Sequence, residues 1–170
     1  MTGKTTLSIL AVLVGGGTAL AEPTTGQEVA HAQFKFDSSK LQPGTEAALW
    51  KVAKKAQANP DQRIVLSGFT DPIGTAPYNV GLAIRRARAI EDALVALGVP
   101  ADRIVINAFG EAGPRLAGNP ANRRVTVTLS SEAIASDIDQ TFALGGTSVT
   151  WGRPMTTAEI EAAPTPVALR

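Results

Sequence analysis

Apolar residues in this chain recur at two spacings, one suited to strands and one to helices. Ala32 to Phe36 (AQFKF) alternates and predicts a short strand, ended by Asp37-Ser38-Ser39. Pro43-Gly44-Thr45 opens a helix running to about Asn59. Leu49, Val52, Ala53 and Ala56 form its buried stripe, Lys51, Lys54 and Lys55 fall on other faces, and Pro60 stops it. Arg63 to Phe69 (RIVLSGF) is a nearly continuous apolar run, as in a buried central strand. A polar turn, Thr70 to Gly74, leads to a long helix from about Tyr78 to Leu97. Its core stripe is Ala83, Ala87, Ile90, Leu94 and Leu97, and Gly98 and Pro100 terminate it. Arg103 to Phe109 (RIVINAF) is another buried strand, Gly110 to Ala121 a loop, and Arg124 to Leu129 (RVTVTL) an alternating strand with one wet face.

The order strand, helix, strand, helix, strand, strand implies right-handed crossovers and parallel pairing. The expected fold is therefore α+β: a small mixed four-stranded sheet with two helices packed on one face, over residues 32–131. Residues 22–31 are polar and turn-forming and read as a short linker. Residues 132–170 are rich in Ala, Thr, Pro and Gly, with isolated apolar residues such as Phe142, Val149 and Trp151. They read as a loosely ordered tail, with a short strand near Val149 and a short helix near Thr157 to Ala162.

The first 21 residues read as an export signal: Lys4, the apolar run Leu7 to Val14, and Ala19-Leu20-Ala21 as a cleavage pattern. Cleavage after Ala21 is expected, and retention as a membrane anchor is the alternative, although the run is short of the roughly 20 residues that a spanning helix needs. No later segment is apolar enough to span, and no series of alternating strands suits an outer-membrane barrel. The chain has 16 Lys+Arg against 15 Asp+Glu. Lys4 is the only charge in the first 21 residues, so removing them leaves 15 against 15 and a net charge of zero. That balance argues against a nucleic-acid binder. The chain has no cysteine, which excludes a disulfide framework, a Cys-based zinc site, a thiol nucleophile and a lipid-modified Cys. The single His31, ahead of the first expected strand, cannot make a His-based metal site alone.

On a wheel of about 100° per residue, Arg86 falls beside the core stripe of the long helix, with Asn79 and Leu82 on the same side. Arg85 and Arg88 point toward water. Asp71 lies in the turn leading into this helix, so a carboxylate and a guanidinium flank one shallow site at the end of a strand. Such a pair suits a zwitterion: the carboxylate accepts from an ammonium and the guanidinium grips a carboxylate. The alternative is that Asp71 and Arg86 bridge each other. Asp37, Asp71 and Glu111 have no neighbouring base or metal cluster in the pattern, so no enzyme is expected.

An ordered set of motifs adds to this reading: Phe34-Lys35-Phe36-Asp37; Gly68-Phe69-Thr70-Asp71 with Gly74; Asn79, Leu82 and Arg86-Ala87; Gly110-Glu111 with Pro114; and Asn122-Arg123-Arg124-Val125. Together they resemble the OmpA-like peptidoglycan-binding domain of outer-membrane proteins, Pal lipoproteins and flagellar stator proteins, over roughly residues 32–130. The resemblance implies the β-α-β-α-β-β fold, no cofactor, and noncovalent binding of diaminopimelate in the stem peptide of a Gram-negative cell wall. It implies that Asp71 takes the ligand's ammonium, that Arg86 takes its carboxylate, that Asn79 lines the pocket and that Asp37 lies next to it. A turn cap is the alternative role for Asp37. Arg123 and Arg124 match the NRR motif, and alternation sends one to the ligand side and the other to solvent. Leu82, which matches the helix motif, and Thr70 join Arg123 and Arg124 as further candidates for ligand contact, with shaping of the turn as the favoured role of Thr70 and Gly74. Two departures are Ala83, where the family often has Ser, and a short loop from Gly113 to Ala121.

The expected partner is thus peptidoglycan, in the periplasm at the wall or outer membrane, with dimerisation as a means of strengthening the hold. The second reading is an envelope interaction protein that keeps the fold but acts on an outer-membrane or envelope partner through residues 132–170.

Overall fold

A computed structural model of the chain describes residues 26–151. The expected signal segment and the expected helix near Thr157 lie outside the described residues. The elements run β1 (Gln27–Gln33), α1 (Thr45–Ala58), β2 (Arg63–Phe69), α2 (Ala76–Ala96), β3 (Ile104–Gly110), α3 (Asn119–Asn122), β4 (Arg124–Ser130), α4 (Ile134–Ala143) and β5 (Ser148–Trp151). The strands form one mixed sheet in the order β1-β4-β2-β3-β5. β2 and β3 pair in parallel, as a crossover through α2 requires, and every other pairing is antiparallel.

One face of the sheet carries the apolar core. Ile64 and Leu66, Ile104 and Ile106, and Val125, Val127 and Leu129 alternate inward from three strands. They meet Leu49, Val52, Ala53 and Ala56 of α1 and Ala87, Ile90 and Leu94 of α2, so both helices lie on that face as expected. α2 sits close on β2: a Cβ on Gly68 would lie 2.6 Å from the carbonyl oxygen of Ala83. Ala83 is fully buried in this contact.

Four details differ from the sequence reading. The sheet has five strands rather than four, because β5 adds to the edge of β3 at the expected place near Val149. Residues 134–151 therefore belong to the folded unit as α4 and β5 rather than to a loose tail. The first strand is Gln27–Gln33, earlier than Ala32 to Phe36, so residues expected as linker form an edge strand and His31 lies within it, opposite Thr126. Finally, β4 is buried along its whole length rather than half wet. On its outer side Arg124 lies 4.1 Å over the ring of Phe69, Phe69 stacks on Phe109 at 4.9 Å, and Gly113 packs against both residues. α4 adds to this side: the buried Asp137 accepts from Arg63 at 3.5 Å and from Ser130 at 3.3 Å.

Candidate functional site

The C-terminal end of β2 opens into a cleft of about 160 Å³. Phe36 and Asp37, from the segment between β1 and α1, form one wall. Ile73 and Gly74 of the turn and Tyr78 in the first turn of α2 form the other, with Asp71 and Leu82 between them. Phe36, Ile73 and Tyr78 are half exposed, so the rim is apolar and open to water. Gly74 has φ 114°, a conformation that favours glycine and lets the turn close over Asn79.

Asp71 is 4% exposed. Its Oδ1 accepts from the backbone N–H of Ile73 at 3.3 Å, an Asx turn that folds the loop, and its Oδ2 accepts from Arg123 Nη1 at 3.2 Å. A carboxylate offers about four lone-pair directions, so acceptor capacity remains toward the cleft. The ion pair of Asp71 is with Arg123, not with Arg86.

Arg86 is completely buried rather than at the border of the core. Its Nε donates to the carbonyl of Ser38 at 2.9 Å, Nη1 to that of Phe69 at 3.0 Å and Nη2 to that of Lys35 at 3.1 Å. The guanidinium also lies 5.4 Å over the ring of Phe34. It ties the end of β2 to the cleft wall at 35–38. Burial pushes its pKa down to about 10, opposed by the nearby Asp71 carboxylate, so it stays cationic at neutral pH. Five N–H donors minus three bonds to carbonyls leaves two for another acceptor.

The remaining expected residues separate. Asn79 is buried under Gly74 and donates through Nδ2 to Glu111 Oε2. Thr70 is buried, its N–H bonded to the Gly110 carbonyl at 2.8 Å, and shapes the end of β2. Arg123 turns toward Asp71 and also donates through Nε to the carbonyl of Phe34 at 3.2 Å. Arg124 points the opposite way, as alternation requires. It is buried over Phe69 rather than in solvent and donates to the Pro114 carbonyl at 3.3 Å.

Tyr78 is a site residue that the sequence reading passed over. Its hydroxyl donates to Asp37 Oδ1, which holds the phenol neutral and raises its pKa. Arg85 covers its ring at 5.5 Å. Tyr78 is the only tyrosine in the chain, at the first turn of an expected helix beside the Asp71 turn, and that placement was the available signal. Phe36 entered the sequence reading only as part of a strand and a motif, and Glu111 only as a motif residue and a carboxylate without a catalytic partner. Among the described residues no cluster of potential metal ligands occurs, and no helix is long and apolar enough to cross a membrane.

Residues 33–127 match the model of the OmpA family. The chain belongs to the OmpA family. Among its relatives, the peptidoglycan-associated lipoprotein of Pseudomonas putida is 38% identical over 112 residues, covering 63% of this chain and 67% of the relative. Outer membrane protein A of Escherichia fergusonii is 39% identical over 83 residues, 48% of this chain but only 34% of the relative's length. The solved peptidoglycan-associated lipoprotein of Burkholderia pseudomallei superposes with a TM-score of 0.54 at 31% identity, over 59% of this chain and 89% of that one. The C-terminal domain of Helicobacter pylori MotB shares the fold, with a TM-score of 0.54 at 21% identity, over 68% of this chain and 94% of that one. This OmpA-family domain is a binding module, not an enzyme.

Proposed function

We propose that this OmpA-family domain binds peptidoglycan noncovalently and tethers its carrier to the wall, gripping the diaminopimelate of the stem peptide in the Asp71 cleft. One observation carries the reading: Asp71 lines the cleft, and the buried cation Arg86 braces the cleft wall and the end of β2 within electrostatic reach of that carboxylate. Asp71 takes the ligand's ammonium. Arg86 supplies positive charge that favours the ligand's carboxylate, while three of its N–H groups fix the walls. The apolar rim of Phe36, Ile73 and Tyr78 suits the aliphatic chain between the two heads. The names of the relatives, a peptidoglycan-associated lipoprotein and the peptidoglycan-binding protein ArfA of Mycobacterium bovis, support the same ligand. Export to the periplasm through the N-terminal signal belongs to this proposal.

Cosedimentation with purified sacculi tests it. Wild-type protein is expected to sediment and to be displaced by free meso-diaminopimelate. Asp71→Asn keeps size and turn geometry but removes the charge, and a loss of at least about tenfold is expected, equal to about 1.4 kcal/mol. Arg86→Ala is a poorer probe, since it leaves three carbonyls without their donor. If Asp71→Asn sediments like wild type, the site is wrong; if wild type stays in the supernatant, the function is wrong.

A further inference from the structure

The segment 35–38 separates two depressions. Phe36 and Asp37 line the cleft described above. Lys35 and Ser38 line a second recess of about 380 Å³, completed by Lys40, Gln42 and Glu46 among others. Arg86 holds this partition from beneath through the carbonyls of Lys35 and Ser38. Asp37 reverses the backbone within it at φ 50°, and Ser38 Oγ accepts from the N–H of Lys40 at 3.1 Å. The second recess is thus built on the same braced turn as the first.

Its charge is unbalanced. Lys35 and Lys40 are exposed, and neither takes part in an ion pair among the described residues. Glu46 contributes one carboxylate against these two ammonium groups. α1 also begins here, at Gly44, with no side-chain cap on its first N–H groups.

We propose that this recess is a second subsite, in which Lys35 and Lys40 take the free α-carboxylate of the glutamyl residue that precedes diaminopimelate in the same stem peptide. The inference rests on the reading of the Asp71 cleft given above. The glutamyl residue is joined through its side-chain carboxyl to the end of diaminopimelate opposite the head in the cleft, which leaves its α-carboxylate free on the stretch of peptide that runs out of the cleft. A peptide leaving the cleft over the partition passes from the side of Phe36 and Asp37 to the side of Lys35 and Lys40. Ammonium groups on flexible stems suit a carboxylate whose position is set by the neighbouring anchor rather than by the recess itself.

Calorimetric titration of the full chain with three probes tests this: meso-diaminopimelate, the tripeptide L-Ala-γ-D-Glu-meso-diaminopimelate, and the same tripeptide with the glutamyl α-carboxylate as its amide. Exposed pairs of this kind give about 1.4- to fivefold each, so with two lysines the acid is expected to bind about two- to twenty-five-fold more tightly than the amide. The variant Lys40→Gln, which lies in the recess and outside the cleft wall, is expected to lose most of that preference while its affinity for meso-diaminopimelate stays unchanged. Equal binding of acid and amide by wild type, with meso-diaminopimelate bound normally, overturns the second subsite and leaves the first intact. A Lys40→Gln protein that keeps the whole preference overturns the second subsite in the same way. Absence of meso-diaminopimelate binding overturns both.

Discussion

Arg86 carries its charge wholly out of water, and carbonyls of three residues hold it there: Lys35, Ser38 and Phe69. Arg123, from a separate motif, makes the ion pair with Asp71 that the sequence left open for Arg86. The helix wheel picked out Arg86 among its neighbours because periodicity reports depth. It could not tell a border position from a sealed one, since the segment that closes over Arg86 comes from 35–38, some 50 residues earlier in the chain. Tyr78 shows the same limit: its partner Asp37 is far off in sequence. This pair gives a direct test. The phenol donates to a carboxylate, which favours the neutral form, so the chain's only tyrosine is expected to titrate above its ordinary value of 10.0. Asp37→Asn removes that charge, and the midpoint of the ultraviolet phenolate transition is expected to fall back toward 10.0. A midpoint that does not move would mean that Tyr78 and Asp37 do not form the cleft wall together.

Among the elements, those with strong periodicity were legible and those at the sheet edges were not. β2, β3, α1 and α2 fall close to their expected bounds because each buries a regular stripe in the core. β1 was displaced because its pattern is weak: only Ala32 is buried, and a register shift between Glu28 and Ala30 breaks the alternation. The conspicuous aromatic residues lie just beyond it, Phe34 in the core and Phe36 on the cleft rim. α4 and β5 were hidden for a related reason: the buried residues of α4 are Asp137 and Thr141, which polarity counts as surface. The close seat of α2 on β2 is where an element controls the site. Gly68→Ala places a methyl 2.6 Å from a backbone oxygen that no side-chain rotation can move. It is expected to cost about 1–3 kcal/mol in urea unfolding. It should also weaken sacculus binding, since the displaced strand end carries the Asp71 turn. A stable Gly68→Ala protein with full binding would show that the helix seat is not what positions the cleft.

For the whole molecule, the proposed grip on one small head, with one charge contact at each end and open to water on one side, implies a weak bond. Such a ligand is expected to bind with a dissociation constant of roughly micromolar to millimolar. The wall, however, repeats the same ligand along a fixed mesh, so two heads joined together meet the second ligand at high effective concentration. A tandem of two copies joined by a flexible linker is therefore expected to leave sacculi at least about tenfold more slowly than the single chain, within the range that linked sites reach. Each head should keep the same affinity for free meso-diaminopimelate by calorimetry. A tandem with one copy changed at Asp71→Asn should fall back to the rate of the single chain, because the gain needs both clefts. If the tandem and the single chain leave at the same rate, the ligand spacing on the wall does not allow joint engagement, and any firm attachment must come from outside this domain.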